Sequence, residues 1–202
     1  MQNIQTEIRE LLTMMVAEGF ATQTEMFEHV SDYFEGVPGL HQQRAFMQKV
    51  ASDLLTAQAE KEEEWVTATD CDRLDIAFAE LNQIGIVARQ HFTCCQTCGH
   101  YEIDDEVRGA AKRQEVLGYV FYHQQDTASA VERGYLYLAF GAVVDAPQQV
   151  KLVGERVVQA LRDVGLSVKW EGDINRRIRV ALQWEKRRFS EYNVLFAMPT
   201  EI

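Results

Sequence analysis

Residues 86–123, "IVARQHFTCCQTCGHYEIDDEVRGAAKRQEVLGYVFYH", contain the pattern that decides the fold. The apolar runs "IVARQHF" (86–92) and "LGYVFYH" (117–123) predict strands, and "DDEVRGAAKRQ" (104–114) between them predicts a helix. A strand–helix–strand unit of this kind places its two strands parallel. The loops that follow the two strands should then emerge at the same edge of a sheet.

The rest of the chain extends this pattern in both directions. Apolar residues at helical spacing predict three helices in residues 1–64, where Thr22 and Glu25 form a capping box. Further strands and helices alternate after residue 65, and the last two strands, 166–170 and 178–184, are joined by a connection that suits a hairpin. We therefore predict an acidic three-helix region (1–64) and an α/β domain (65–202).

The predicted fold class is α/β, with α+β as the alternative. We expect a mixed, mostly parallel sheet that is flanked by helices and ends in the hairpin.

The net charge of the chain limits the classes of partner that it is expected to bind. The 202 residues carry a net charge of −11, of which −8 falls on residues 1–64. This acidity disfavours nucleic acid and anionic membranes and favours a basic protein partner, although acidity also serves solubility alone. No apolar run is long enough to span a membrane, and the first helix lacks the features of a signal peptide. The expected compartment is the cytoplasm, where structural disulfides are improbable.

Three of the four cysteines lie in "HFTCCQTCGH" (91–100). Cys95 and Cys98 have the spacing with which two thiolates share a zinc ion, and Cys94 and His100 are the nearest further ligands. His91 and the distant Cys71 are less direct candidates. A second pair of ligands at metal-binding spacing does not occur in the sequence, so zinc stays one hypothesis among several.

The same cysteines also permit two kinds of thiol chemistry. "CQTC" follows a predicted strand, as a redox pair would, but the acidic residues after it (Glu102, Asp104, Asp105 and Glu106) oppose thiolate formation. A cysteine nucleophile would need a base, for which His123 is the candidate. The two loops would then form a crevice with Gln124, Gln125 and Asp126, and Cys95 or Cys98 should lie near His123. Asp126 also suits the role of a helix cap.

The fourth interpretation is structural, and the sequence favours it narrowly. Cysteine is commonly buried and packs as a small apolar residue, which suits a tight turn between a strand and a helix. This interpretation requires no cofactor, whereas the first would require zinc.

The segments "FTCCQTCG" and "GYVFYHQQDT" resemble those of an uncharacterised bacterial domain family of unknown function. The resemblance covers residues 65–202 and implies a bacterial, cytoplasmic α/β module without an established activity. The leading functional hypothesis is a non-catalytic protein-binding module, such as an inhibitor or an immunity-type protein, that engages a cationic partner. The alternative is a zinc-binding protein or cysteine-based enzyme that uses the cluster and His123.

Overall fold

Three amphipathic helices form the first part of the computed structural model, which describes residues 2–188 of the chain. They are α1 (Gln2–Glu18), α2 (Gln23–Tyr33) and α3 (Arg44–Glu64), with a short 3₁₀ helix at Leu40–Gln43. The predicted capping box is present, since Glu25 N–H donates to Thr22 Oγ1 (3.3 Å) and Thr22 N–H donates to Glu25 Oε2 (2.6 Å). The helices enclose an apolar core that includes Ile8, Leu12, Met26, Val30 and Val50.

This helical unit extends to Thr67 and also contains Lys186–Arg188 from the far end of the described chain. The Arg188 guanidinium donates to the backbone carbonyls of Val16 (3.5 Å) and Ala21, and the Arg188 backbone N–H donates to Glu62 (3.3 Å). Three cations are thereby added to a unit whose residues 1–64 carry −8.

The α/β unit comprises residues Ala68–Glu185 of the described chain. Its elements in chain order are α4 (Asp70–Gln83), β1 (Ile86–Arg89), α5 (Gln96–Ala111), β2 (Gly118–Phe121), α6 (Gln124–Arg133), β3 (Tyr135–Ala142), α7 (Pro147–Asp163), β4 (Ser167–Lys169) and β5 (Ile178–Ala181). The five strands form one sheet in the order β1-β2-β3-β5-β4. The predicted α/β class, the mixed sheet and the closing hairpin are confirmed.

The expectation of a mostly parallel sheet was wrong, although the predicted parallel pairing of the first two strands is confirmed. β1 and β2 are parallel neighbours, with Ile86 opposite Gly118, whereas the other three pairs of strands are antiparallel. The reason is the connection after β2. α6 has ten residues and only Gly134 separates it from β3, so the chain enters β3 at the edge where β2 ended and runs back beside it.

Helices pack on both faces of this sheet. Ile103 and Ala110 of α5 share a buried core with Val87 of β1 and Phe121 of β2. Gly99, in the first turn of α5, lies so close to Phe121 that an added Cβ would stand 2.4 Å from the ring. α5 therefore rests directly on the carboxyl end of β2.

Two helices begin earlier than the sequence indicated. α5 starts at Gln96 rather than at residue 104, and α6 starts at Gln124 rather than at residue 126. The mostly polar residues before each expected start concealed the first eight residues of α5 and the first two of α6. Within residues 2–188, no helix combines the length and the apolar character needed to cross a bilayer.

Candidate functional site

The loops after β1 and β2 lie side by side at one edge of the sheet, as the parallel pairing requires. Phe92 N–H donates to the carbonyl of Tyr122 (2.8 Å), and Gln124 N–H donates to the carbonyl of Thr93 (3.1 Å). A side-chain hydrogen bond joins His91 Nδ1 and Thr127 Oγ1 (2.9 Å). The two loops therefore form one hydrogen-bonded structure.

The first of these loops has a strained backbone. His91 and Thr93 have φ values of 50° and 57°, a region that residues with a side chain rarely adopt. The β-branched Thr93 is the more unusual of the two. The hydrogen bonds to the second loop oppose relaxation of this strain, and strain held in place by its surroundings is typical of functional sites.

Three thiols converge where this loop enters α5. The sulfur atoms of Cys94, Cys95 and Cys98 all lie within 4.8 Å of one another, and this thiol cluster could hold a metal ion. The Sγ atoms of Cys94 and Cys98 are 3.4 Å apart. All three are free; Cys94 is exposed and the other two are half-buried, whereas only the distant Cys71 is buried. The interpretation of the cluster as buried packing was therefore wrong, because the sequence could not reveal that this turn faces solvent.

The thiols differ in acidity because they share hydrogen bonds at a helix N-terminus. A hydrogen bond from the Cys98 backbone N–H lowers the pKa of Cys95, and the side chains of Cys98 and Cys94 lower it further. Hydrogen bonds to Cys94 and Cys95, and then the negative charge of both, raise the pKa of Cys98 to about 11. The acidic residues after the cluster are not among these causes. Their expected effect was overestimated because α5 starts at Gln96, which gives the thiols the backbone N–H groups of its first turn.

His100, a candidate ligand, lies outside the thiol cluster. Its ring packs edge-on against Phe121, with 5.2 Å between ring centroids, and its Nε2 is 3.5 Å from Gln96 Nε2. Burial lowers the pKa of His100, and the positive charge of Arg177 lowers it further. Among residues 2–188, the three thiols are the group that lies within metal-ligand distance.

His123 has a structural position at the other loop. It is buried and is the N-cap of α6, where its Nδ1 accepts the backbone N–H of Asp126 (3.3 Å). Its own backbone N–H donates to Asp126 Oδ2 (3.2 Å), which also lies 3.0 Å from His123 Nε2. Asp126 is therefore the third residue of a capping box and not the cap itself, contrary to the sequence interpretation. Sequence rules overlooked histidine as a cap because they favour small polar residues.

Arg177 completes this second group. Its guanidinium pairs with the buried carboxylate of Asp126 and also donates to the carbonyl of Tyr137. Burial lowers the pKa of His123 and Arg177 lowers it further, while Asp126 opposes both effects. Arg177 was not among the candidate residues, because nothing in the sequence distinguishes it from the other basic residues of 176–188.

The two groups share an edge of the sheet but not hydrogen bonds. Among the described residues, the polar partners of His123 are Asp126 and Thr127, and none of the cluster thiols bonds to its ring. The candidate crevice residues divide in the same way, since Gln124 and Gln125 are exposed while Asp126 is buried. The predicted pairing of Cys95 or Cys98 with His123 is not observed as a hydrogen bond.

Comparison with known proteins gives a family for the chain. No curated protein and no solved structure matches it. A family model with the description "Domain of unknown function (DUF6891)" matches residues 1–188, a span that includes the three N-terminal helices as well as both loops. The expected membership in an uncharacterised domain family is confirmed over a longer part of the sequence, and the chain belongs to the family DUF6891.

Proposed function

We propose that the α/β unit binds a thiophilic metal ion, Zn²⁺ in the simplest case, through the thiolates of the cluster. The observation that carries this proposal is the convergence of three sulfur atoms within 4.8 Å at an exposed helix N-terminus. Zn–S bonds of about 2.3 Å in a tetrahedral site place the sulfur atoms about 3.8 Å apart. Small rotations of the cysteine side chains would bring the cluster to that spacing.

The surroundings of the cluster support the thiolate form of Cys95, and a bound cation would offset the negative charges that raise the pKa of Cys98. The first backbone N–H groups of α5 and the positive end of its dipole favour negative charge. Three protein ligands with one open position are the donor set of zinc sites that exchange a ligand, rather than of closed structural sites. A reducing bacterial cytoplasm would keep the cysteines available, and this compartment is part of the proposal.

Two other kinds of thiol chemistry fit the geometry less well. A cysteine–histidine enzyme would need an imidazole free to accept a proton, but the Nδ1 of His123 is engaged by Asp126. A redox pair needs two thiols and gives no role to the third. A metal site uses all three.

The test is a competition titration of the reduced full chain with Zn²⁺ against a chromophoric chelator. We expect one equivalent to bind, and Co²⁺ in its place should give thiolate-to-metal charge-transfer absorption. Cys95→Ser and Cys98→Ser should each weaken binding by about tenfold or more, because each removes one ligand.

Cys71→Ser is the matched control, since Cys71 is buried outside the cluster and its loss should leave the stoichiometry unchanged. A reduced wild-type chain whose cluster thiols all react with a thiol reagent, yet which binds neither Zn²⁺ nor Co²⁺, would overturn the proposal.

We also propose that the helical unit is a non-catalytic binding module for a cationic protein partner, for example as an inhibitor or immunity-type protein. The observation that favours it is an acidic stripe formed by Glu25, Glu28 and Asp32 of α2 and by Glu35 in the turn that follows this helix. Glu25, Glu28 and Asp32 share one helical face, and all four side chains are exposed. Among the described residues, none of them forms a salt bridge.

The test uses a fluorescent oligoarginine peptide and the full chain. We expect binding at low salt that weakens as salt screens the charges. The double variant Glu28→Gln/Asp32→Asn should weaken binding by about fivefold, because each exposed charge contributes little alone. The control Glu102→Gln/Asp104→Asn removes the same charge from α5 and should have less than about half of that effect. Equal losses from both double variants would contradict a specific role for the stripe.

A further inference from the structure

The helical unit contains a cavity of about 410 Å³ beside the end of α2. Its walls are formed by the start of α1, by the residues that follow α2 and by the 3₁₀ helix. Ile4, Phe34, Val37 and Pro38 supply apolar lining, and Glu7, Gln42 and Gln43 add polar groups. This volume is within the range of small-ligand sites, about 300–1,000 Å³.

The Glu7 carboxylate is the charged group that lines the cavity. Glu7 is half-buried and makes no salt bridge with any residue in the described part of the chain. Gln43 is only 6% exposed, and the hydrogen bond found for its side chain uses its carbonyl oxygen, which accepts Gln5 Nε2 (2.7 Å). The remaining end of this amide, Nε2, is a donor and would not contact a cationic group, and it is not a buried unpartnered atom among the described residues. The acceptor that the cavity offers to a cation is therefore the Glu7 carboxylate.

The surface around the cavity also combines large exposed side chains with a carboxylate. Tyr33 and Val37 are exposed at 61% and 43%, and Glu35 of the acidic stripe lies between them in the sequence. An apolar wall, a carboxylate without a cation and exposed large side chains nearby together describe one kind of occupant. The occupant has an aliphatic stem and a cationic head.

We propose that this cavity receives an arginine or lysine side chain from the cationic partner. The methylene groups would lie along Ile4 and Val37, as long basic side chains do on apolar surfaces, while the head would pair with Glu7. This inference rests on the proposed binding function of the helical unit and names the anchor that this function would use. The stripe would attract the partner, and the cavity would select one of its side chains.

The first test uses small probes on the full chain, n-butylguanidinium and its neutral analogue n-butylurea, followed by NMR. We expect n-butylguanidinium to shift the backbone amides of Val37, Gly39 and Gln43 in a saturable manner, and n-butylurea to shift them much less. Glu7→Gln should remove this difference. Equal shifts from the two probes in the wild-type chain would overturn the cationic assignment, and no shift from either would overturn the site.

The second test returns to the oligoarginine peptide. Glu7→Gln should weaken its binding by about fivefold, as expected for a pair that is partly protected from solvent. Glu10→Gln is the matched control, because Glu10 is exposed on the same helix and does not line the cavity. Val37→Trp, which fills the cavity without changing any charge, should weaken binding to a similar degree.

The outcomes separate the two proposals. Suppose that the stripe variant weakens peptide binding, and that Glu7→Gln and Glu10→Gln weaken it to the same degree as each other. This result would overturn the cavity inference and leave the binding function standing. A wild-type chain that fails to bind the peptide at low salt would overturn both. Thermal melts that match the wild type would show that each variant is folded.

Discussion

The first turns of α5 and α6 follow two adjacent parallel strands and yet are built in opposite ways. At α6, His123 and Asp126 form a complete capping box, and Arg177 neutralises the buried carboxylate. At α5, Cys95 is the N-cap and there is no reciprocal capping box; the Cys95 sulfur faces the backbone N–H of Cys98, and the thiols of the cluster are exposed or half-buried. One helix start is closed by its own side chains, and the other is open to a ligand.

The two helix starts show that a reactive type of side chain is not always free to react. His123 is the residue type most often used for catalysis near neutral pH, but its ring and backbone are committed to the cap. The thiols lie in a loop whose backbone strain is held by hydrogen bonds to the second loop. The closed helix start therefore serves as the scaffold for the open one.

Removal of the carboxylate from the closed start should have the largest effect. Asp126→Ala leaves Arg177 without its partner and removes the capping acceptor, so we expect a loss of about 3 kcal/mol in the free energy of unfolding. Asp126→Asn, which keeps one acceptor, should lose less. Urea denaturation followed by circular dichroism measures both, and a loss below about 1 kcal/mol for Asp126→Ala would contradict a structural role for this group.

At the open start, the thiols should differ in reactivity towards iodoacetamide. At about pH 8 we expect Cys95 to react about tenfold faster than Cys98, because its lowered pKa gives more thiolate while its lower basicity offsets part of the gain. Peptide mass spectrometry after timed labelling resolves the residues. The difference should shrink as the pH approaches 11, where Cys98 also ionises. Equal rates at pH 8 would contradict the asymmetry of the cluster.

A change of the cap itself should have a smaller effect. His123→Ala removes the N-cap acceptor of α6 and should destabilise the α/β unit by about 1 kcal/mol, whereas His123→Asn should restore most of it because asparagine is a good cap. Neither change should alter zinc affinity by more than about threefold, since the ring does not bond to the cluster thiols. A loss of metal binding in both variants with unchanged stability would reverse the comparison and make His123 part of the site.

The sequence predicted the strands and helices that hold the two helix starts, but not the exposure and contacts of the side chains there. Apolar periodicity and the short connections were enough for the β1–α5–β2 unit, the hairpin and the three N-terminal helices, because these depend on local patterns. The interpretation of the cysteines failed on exposure, which depends on where a turn sits in the assembled unit. The roles of His123 and Arg177 were also out of reach, since the pairing of Arg177 with Asp126 joins residues 51 positions apart.

The smallest expected effect is the pH dependence that His123 contributes at the closed start. Burial and Arg177 lower the pKa of His123 in the folded chain below its ordinary value of 6.5, so the unfolded chain binds a proton first as the pH falls. The contribution of His123 to the free energy of unfolding should therefore decline as the pH drops below about 6.5, with a slope of less than about 1.4 kcal/mol per pH unit, and the decline should end below the folded-state pKa. Other groups that titrate in this range, such as Glu18, whose pKa burial raises to about 7, act in wild type and variant alike. His123→Asn lacks this group, so the difference in unfolding free energy between wild type and variant, measured in urea at about pH 7.5 and about pH 5.5, isolates it from the carboxylates that both chains share. A wild-type stability that rises on acidification over this range relative to His123→Asn would mean that the imidazolium is stabilised in the fold, and the α6 cap would then be a charged group rather than a neutral one.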